Sequence, residues 1–149
     1  MDANALTKEN YLSILRQKLD ALTKMLEATK RLDITAEGDD DNMVREAELY
    51  ASLYEQRADM IVQIQKMDEA LSLYKDLEEK FAKASQPVLD KIKETARAMV
   101  ELDKAHMEKS GKILQSLGLN LKKIRDGRDI NNAYLDMSNT SGYHLDTKN

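Results

Sequence analysis

The chain has 149 residues, the length of one domain. Hydrophobic residues make up 42% and charged residues 34%, with no Cys, no Trp, one Phe, one Pro and five Gly. This excludes a disulfide framework, a Cys-based zinc site, an iron–sulfur cluster and a thiol nucleophile, and it argues against a Gly- and Pro-rich sandwich or barrel. What remains is a Lys-, Glu-, Leu-, Ala- and Met-rich chain, the composition of long helices. The net charge is −4, from 27 acidic and 23 basic residues. Nucleic-acid binders ordinarily carry a basic excess, because counterion release drives that binding, so nucleic acid is not an expected partner. No apolar run approaches the ~18 residues of a membrane span. The first apolar stretch is broken by Lys8, Glu9 and Arg16, unlike a signal peptide. The expected location is the cytoplasm.

A first helix is expected over about 7–36, with Thr7 as its cap and Glu9 in its first turn. Tyr11, Leu12, Leu15, Leu19, Leu22 and Leu26, continued by Ala28 or Thr29, recur at three- and four-residue spacing and form one stripe. Gly38 is available for a left-handed turn beyond the helix end. Asp39-Asp40-Asp41-Asn42 then breaks the pattern and offers capping oxygens and negative charge to a new helix N-terminus. A calcium loop fails here, because Met43 stands where an oxygen ligand is needed and the required Gly is missing.

The second helix is expected over about 42–84. Its seam contains Leu53, Arg57, Met60, Ile64, Met67 and Leu71, and continues through Tyr74, Glu78 and Phe81. Such length with few breakers suggests coiled-coil-like packing. Pro87 is the only proline, and Ser85 could cap a third helix over about 86–126. Two arrangements are open. Pro87 marks either a turn that folds helix three back on helix two, the favoured reading, or a kink in one very long helix. The third stripe includes Val88, Ile92, Thr95, Met99, Leu102 and His106, and continues through Ile113, Leu117, Leu121 and Ile124. Gly111 and Gly118 lie inside it, and each weakens a helix by roughly 1 kcal/mol relative to Ala. The expected architecture is all-α: a long antiparallel helical hairpin or three-helix bundle over residues 1–126, with a short C-terminal arm over 127–149.

The arm is rich in Asn, Asp, Ser and Thr, yet Ile130, Ala133, Tyr134 and Met137 fall at helical spacing and Tyr143-His144-Leu145 follows a turn. So much apolar surface is unlike a structureless tail. The arm is expected to dock, either on its own bundle or on a partner.

No catalytic constellation is present. There is no Gly-rich phosphate loop and no Ser in a nucleophile elbow. The carboxylates mostly alternate with Lys, as on a solvated helix face. A di-iron bundle would want two Glu-x-x-His pairs, and the chain offers one near miss, Asp103-x-x-His106. The simpler reading of His106 is a hydrogen-bonded seam histidine. Neither an enzyme, a metal nor a cofactor is expected. Met60, Met67 and Met99 read as core, although Met also suits adaptable contact surfaces.

Leu53-Tyr54-Glu55-Gln56-Arg57-Ala58-Asp59-Met60-Ile61-Val62-Gln63-Ile64 resembles the helix of the FlgN-type flagellar export chaperones. The ending adds specificity. Leu121-Lys122-Lys123-Ile124-Arg125-Asp126-Gly127-Arg128, then Ala133-Tyr134, then Gly142-Tyr143-His144-Leu145-Asp146-Thr147-Lys148 is similar to that family's basic helix end, Gly, Ala-Tyr and Gly-aromatic terminus. FliT-like chaperones share the size and architecture. The resemblance implies a cytoplasmic chaperone that covers the amphipathic terminal helices of hook-associated (hook–filament junction) proteins and releases them at the export gate. On that reading the cargo surface is the end of helix three plus the arm: Leu117, Leu121, Ile124, Ile130, Tyr134, Met137, Tyr143 and Leu145. The alternative is that these side chains pack on the chain's own bundle. A competing reading from the long helices is a structural coiled coil, self-associating as a spacer or tether.

Overall fold

The structure is a computed structural model and describes residues 6–118. Three helices follow one another: α1 (Lys8–Arg31), α2 (Asp40–Ser72) and α3 (Glu78–Leu117), with a short 3-10 turn over Lys75–Leu77. The described residues are all-α, with no strand. At 24, 33 and 40 residues, the helices are about 36, 50 and 60 Å long.

The first two starts lie where the sequence puts them. The Thr7 hydroxyl accepts the Asn10 N–H at 3.1 Å, and the Asp39 carboxylate accepts the Asn42 N–H at 2.9 Å. Each satisfies one of the donors that a helix N-terminus leaves without a partner. Asp40 and Asp41 add favourable negative charge to the first turn of α2.

The other boundaries differ from expectation. α1 stops at Arg31, short of the expected 36, because Leu32 turns to an extended conformation and the connection drops Ile34 into the core. The α2–α3 turn lies at Leu73–Leu77, about ten residues before Pro87. It is closed by Tyr74 N–H to Leu71 O at 2.9 Å and Leu77 N–H to Tyr74 O at 2.8 Å. Pro87 is neither turn nor start. It sits inside α3, exposed, where it removes the N–H that would reach the Lys83 carbonyl. Ser85, expected as a cap, is buried in mid-helix, with its hydroxyl donating to the Ala82 carbonyl at 3.3 Å. α3 stops at Leu117, short of the expected 126. Gly118 takes a left-handed conformation (φ 70°), and its N–H reaches the Gln115 and Leu114 carbonyls, a common glycine helix stop.

The helices run up, down and up. At one end Tyr11 of α1 stacks near Tyr74 of the turn and Phe81 of α3, with ring centroids 5.1 and 5.6 Å apart. From there a long apolar core climbs through Leu15, Leu22, Met25, Ile64, Ile92 and Met99. Each fully buried side chain of this size contributes roughly 1.5–3 kcal/mol. At the other end a smaller core gathers Ile34, Tyr50, Leu53, Tyr54 and Ile113.

Lys18 is 1% exposed inside the first stripe, and its ammonium donates to Asp68 of α2 at 2.7 Å. The pair ties the middle of α1 to the last turns of α2. The expected seams are otherwise close. Met99 is buried, while Met60 and Met67 are half-buried. In α3 the buried face is offset from the expected stripe and reads Leu89, Ile92, Ala96, Met99 and then Asp103.

Candidate functional site

The smaller core and its surroundings form the end of the bundle from which the expected cargo-binding segment departs. Of the eight residues expected to contact a partner, only Leu117 lies among the described residues. It is half-buried and packs against the Ile34–Tyr50–Ile113 core, so its observed contacts are with its own bundle. Leu121, Ile124, Ile130, Tyr134, Met137, Tyr143 and Leu145 fall outside the described residues, as does the 127–149 arm.

The α1–α2 connection is held by one carboxylate. Glu46 of α2 is 2% exposed. One of its oxygens accepts both the Thr35 N–H (3.1 Å) and the Thr35 hydroxyl (3.0 Å), and the other accepts the Ala36 N–H at 3.0 Å. Burial alone would raise the Glu46 pKa. The bonds from Ala36 and Thr35, with the nearby Arg45 charge, outweigh it and hold the carboxyl below its ordinary range. The clasp fixes Ala36 at φ 61°, a left-handed conformation that a residue with a Cβ seldom adopts.

Beside this clasp a cleft of about 570 Å³ opens between the end of α1 and the first half of α2. Ala28, Leu32, Leu53 and the exposed Leu49 line it, with Arg31 and Arg45 also contributing. Asp33 and Glu46 line it as well, so the cleft mixes aliphatic groups with charges of both signs.

Between the two cores lies a polar layer. Arg57 Nη1 donates to Asp103 Oδ1 at 2.6 Å, with side-chain exposures of 1% and 0%. The Tyr54 hydroxyl donates to the same oxygen at 2.6 Å. The Arg57 guanidinium lies over the Tyr54 ring, 4.7 Å from its centroid, and Tyr50 and Tyr54 sit ring to ring at 4.8 Å. His106, also buried, sits one turn beyond Asp103. Burial depresses its pKa, and the Asp103 charge and a hydrogen bond to the Leu32 backbone oppose that only in part, so it is neutral at pH 7. Burial, then the Asp103 charge, push the Tyr54 hydroxyl far above its ordinary value. Asp103 Oδ2, Arg57 Nε, Arg57 Nη2 and His106 Nδ1 have no hydrogen-bond partner among the described residues.

In this closed arrangement the Arg57 and Asp103 side chains have essentially no contact with solvent. The Asp103-x-x-His106 pair, a near miss of a metal motif, is used in packing. Among the described residues no group of three or more metal-ligating side chains is present. The sequence pattern places Arg57 and His106 in the seams and marks Asp103 only as half of a metal near miss, while it gives no role to Glu46 or Lys18. The signal for Asp103 was its spacing, four residues after Met99 and three before His106.

No helix of the described residues is long and apolar enough to cross a membrane. No family model matches this chain, and neither a curated protein nor a solved structure matches it.

Proposed function

We propose that this chain is a cytoplasmic export chaperone of the FlgN type. It binds the amphipathic terminal helices of hook-associated flagellar proteins and yields them to export-gate components. The observation that carries the reading is the patterned ending from Leu121 to Lys148, borne on a chain whose described part is three long helices. Cargo helices of this kind expose an apolar stripe until they assemble, and unshielded stripes aggregate. A helix laid in an apolar groove covers such a stripe without nucleotide hydrolysis. A cargo that must later be released calls for a micromolar to nanomolar dissociation constant, roughly −8 to −12 kcal/mol.

Co-expression with the terminal helices of a hook-associated protein, followed by capture on the full-length chain, tests this. The wild type is expected to retain the helices. A full-length variant with Ile130→Ser, Tyr134→Ser and Met137→Ser is expected to bind about tenfold more weakly or worse. Absence of any binding by the wild type defeats the proposal. Retention of a different flagellar export substrate in its place would move the assignment to the FliT-like chaperones.

A second reading, a self-associating spacer, draws on Val44, Val62 and Leu73, which are 43%, 51% and 67% exposed. It predicts a dimer whose melting temperature rises with protein concentration.

A further inference from the structure

We propose that the layer formed by Tyr54, Arg57, Asp103 and His106 is a built-in parting plane, at which Lys104–Leu117 of α3 detaches from α1 and α2 as one unit while the long apolar core stays closed. The opening is a property of the bundle and stands apart from the export reading. Only its use, the offer of Ile113, Leu114 and Leu117 to an incoming amphipathic helix, rests on that reading.

The buried face of α3 changes character at this level. Below it stand Leu89, Ile92, Ala96 and Met99; then come Asp103, His106 and Ser110 before Ile113 restores an apolar contact. Three successive seam positions are therefore polar. The tie between α2 and α3 at this level is a pair of bonds converging on one oxygen, Asp103 Oδ1.

Water can replace each of these bonds when the layer opens. Water also reaches Asp103 Oδ2, Arg57 Nε, Arg57 Nη2 and His106 Nδ1, which are buried and have no hydrogen-bond partner among the described residues. Burial of such atoms opposes closure, and taking a charge pair out of water can cost more than its attraction returns. An apolar layer of the same size gains nothing comparable on exposure. Among the described residues, the small core above the plane gathers Ile34, Tyr50, Leu53, Tyr54 and Ile113, against thirteen buried side chains in the long core.

Gly111 is an independent observation. A Cβ added there would meet nothing within 4 Å, so packing does not require glycine. Its effect is to weaken the helix at mid-segment. Contiguous segments of low local stability open cooperatively in this way.

Amide hydrogen exchange on the full chain, without any partner, tests the plane. Residues 104–117 are expected to share one exchange rate, about tenfold or more above that of residues 88–99, with a step at Asp103. Gly111→Ala is expected to slow the whole unit by about fivefold. Replacing the layer by apolar groups of similar shape (Tyr54→Phe, Arg57→Met, Asp103→Leu together) is expected to abolish the step. A smooth gradient rising toward Gly118, as in simple end fraying, overturns the proposal. So does a Gly111→Ala effect confined to its immediate neighbours, or a step that survives the triple replacement.

Should the triple variant not fold, thiol labelling decides. The chain has no cysteine, so single Cys variants at the fully buried Ile113 and Met99 report each side of the plane. Faster labelling at 113, by about tenfold or more, supports the parting plane, and equal rates overturn it. Cargo binding enters none of these readouts, so a failed export reading and a failed opening are told apart.

Discussion

Arg57 and Asp103 meet at 2.6 Å with essentially no solvent at either side chain, and Tyr54 approaches the same carboxylate oxygen to the same distance. One oxygen thus accepts two strong donors, one from each of two successive turns of α2. The arrangement fixes the vertical register of α2 against α3, since a slip of one residue on either helix would leave a charge facing an apolar wall.

Removing one partner of that pair is expected to be costly. Asp103→Ala leaves the guanidinium buried without its counter-charge, and breaking such a pair destabilises by about 3–5 kcal/mol. Urea unfolding of the variant checks this. A midpoint within error of wild type would show that Arg57 is not held in the dry by Asp103.

Glu46→Ala removes the acceptor of two backbone N–H groups and one hydroxyl in the 32–39 connection. Leaving such donors without partners costs roughly 1–3 kcal/mol. The loss should fall chiefly on the α1–α2 end, so amide exchange at Thr35 and Ala36 should quicken far more than exchange at Leu22.

Replacing Pro87 is expected to help. Pro87→Ala restores the N–H that α3 lacks at an exposed position within the helix. A gain of about 1–3 kcal/mol follows from the removed ring clash and the regained hydrogen bond to Lys83. Thermal unfolding at matched protein concentration measures it, and a lower melting temperature contradicts it.

Two groups give the stability profile opposite slopes with pH. Burial pushes the Glu78 carboxyl up from 4.5 to about 7, with Lys75 opposing. Its folded pKa lies above its unfolded one, so its contribution is full below pH 4.5 and is lost as pH rises through about 7. His106 is depressed by burial, so its contribution is present above its ordinary value of 6.5 and is lost as pH falls through the folded value. Glu78→Gln should therefore steepen the acid loss of stability, and His106→Gln should flatten it. Urea midpoints across about pH 5–8 check both, and unchanged slopes in both variants count against the assignment.

Much of the bundle was readable from spacing. Tyr11, Leu15 and Leu22 had to share a face, and Thr7 and Asp39 carry the side chains that caps need. The α2–α3 turn was not readable. Leu73-Tyr74-Lys75-Asp76-Leu77 contains neither Gly nor Pro, while Pro87 advertises a break that does not occur. The turn is set by tertiary packing instead, because placing it at residues 73–77 lets Tyr74 and Phe81 both reach Tyr11. Lys18 and Glu46 escaped notice for a related reason. A charged residue on a helix reads as solvated unless its partner is known, and Asp68 and the Thr35–Ala36 backbone lie far away in sequence or in a loop. Of the expected cargo surface, Leu117 alone lies among the described residues, half-buried against the Ile34–Ile113 core.

Because α1 rises, α2 descends and α3 rises again, the bundle has an odd number of passes, and the chain enters and leaves the described region at opposite poles. Thr7 stands at the Tyr11–Phe81 pole and Gly118 at the Ile34–Tyr50 pole. With α3 spanning about 60 Å, Thr7 and Gly118 are held about a helix length apart. A probe fixed at Thr7 and another at Gly118 would therefore span the full height of the three-helix region, and their separation is a ruler for whether it is closed along its whole length.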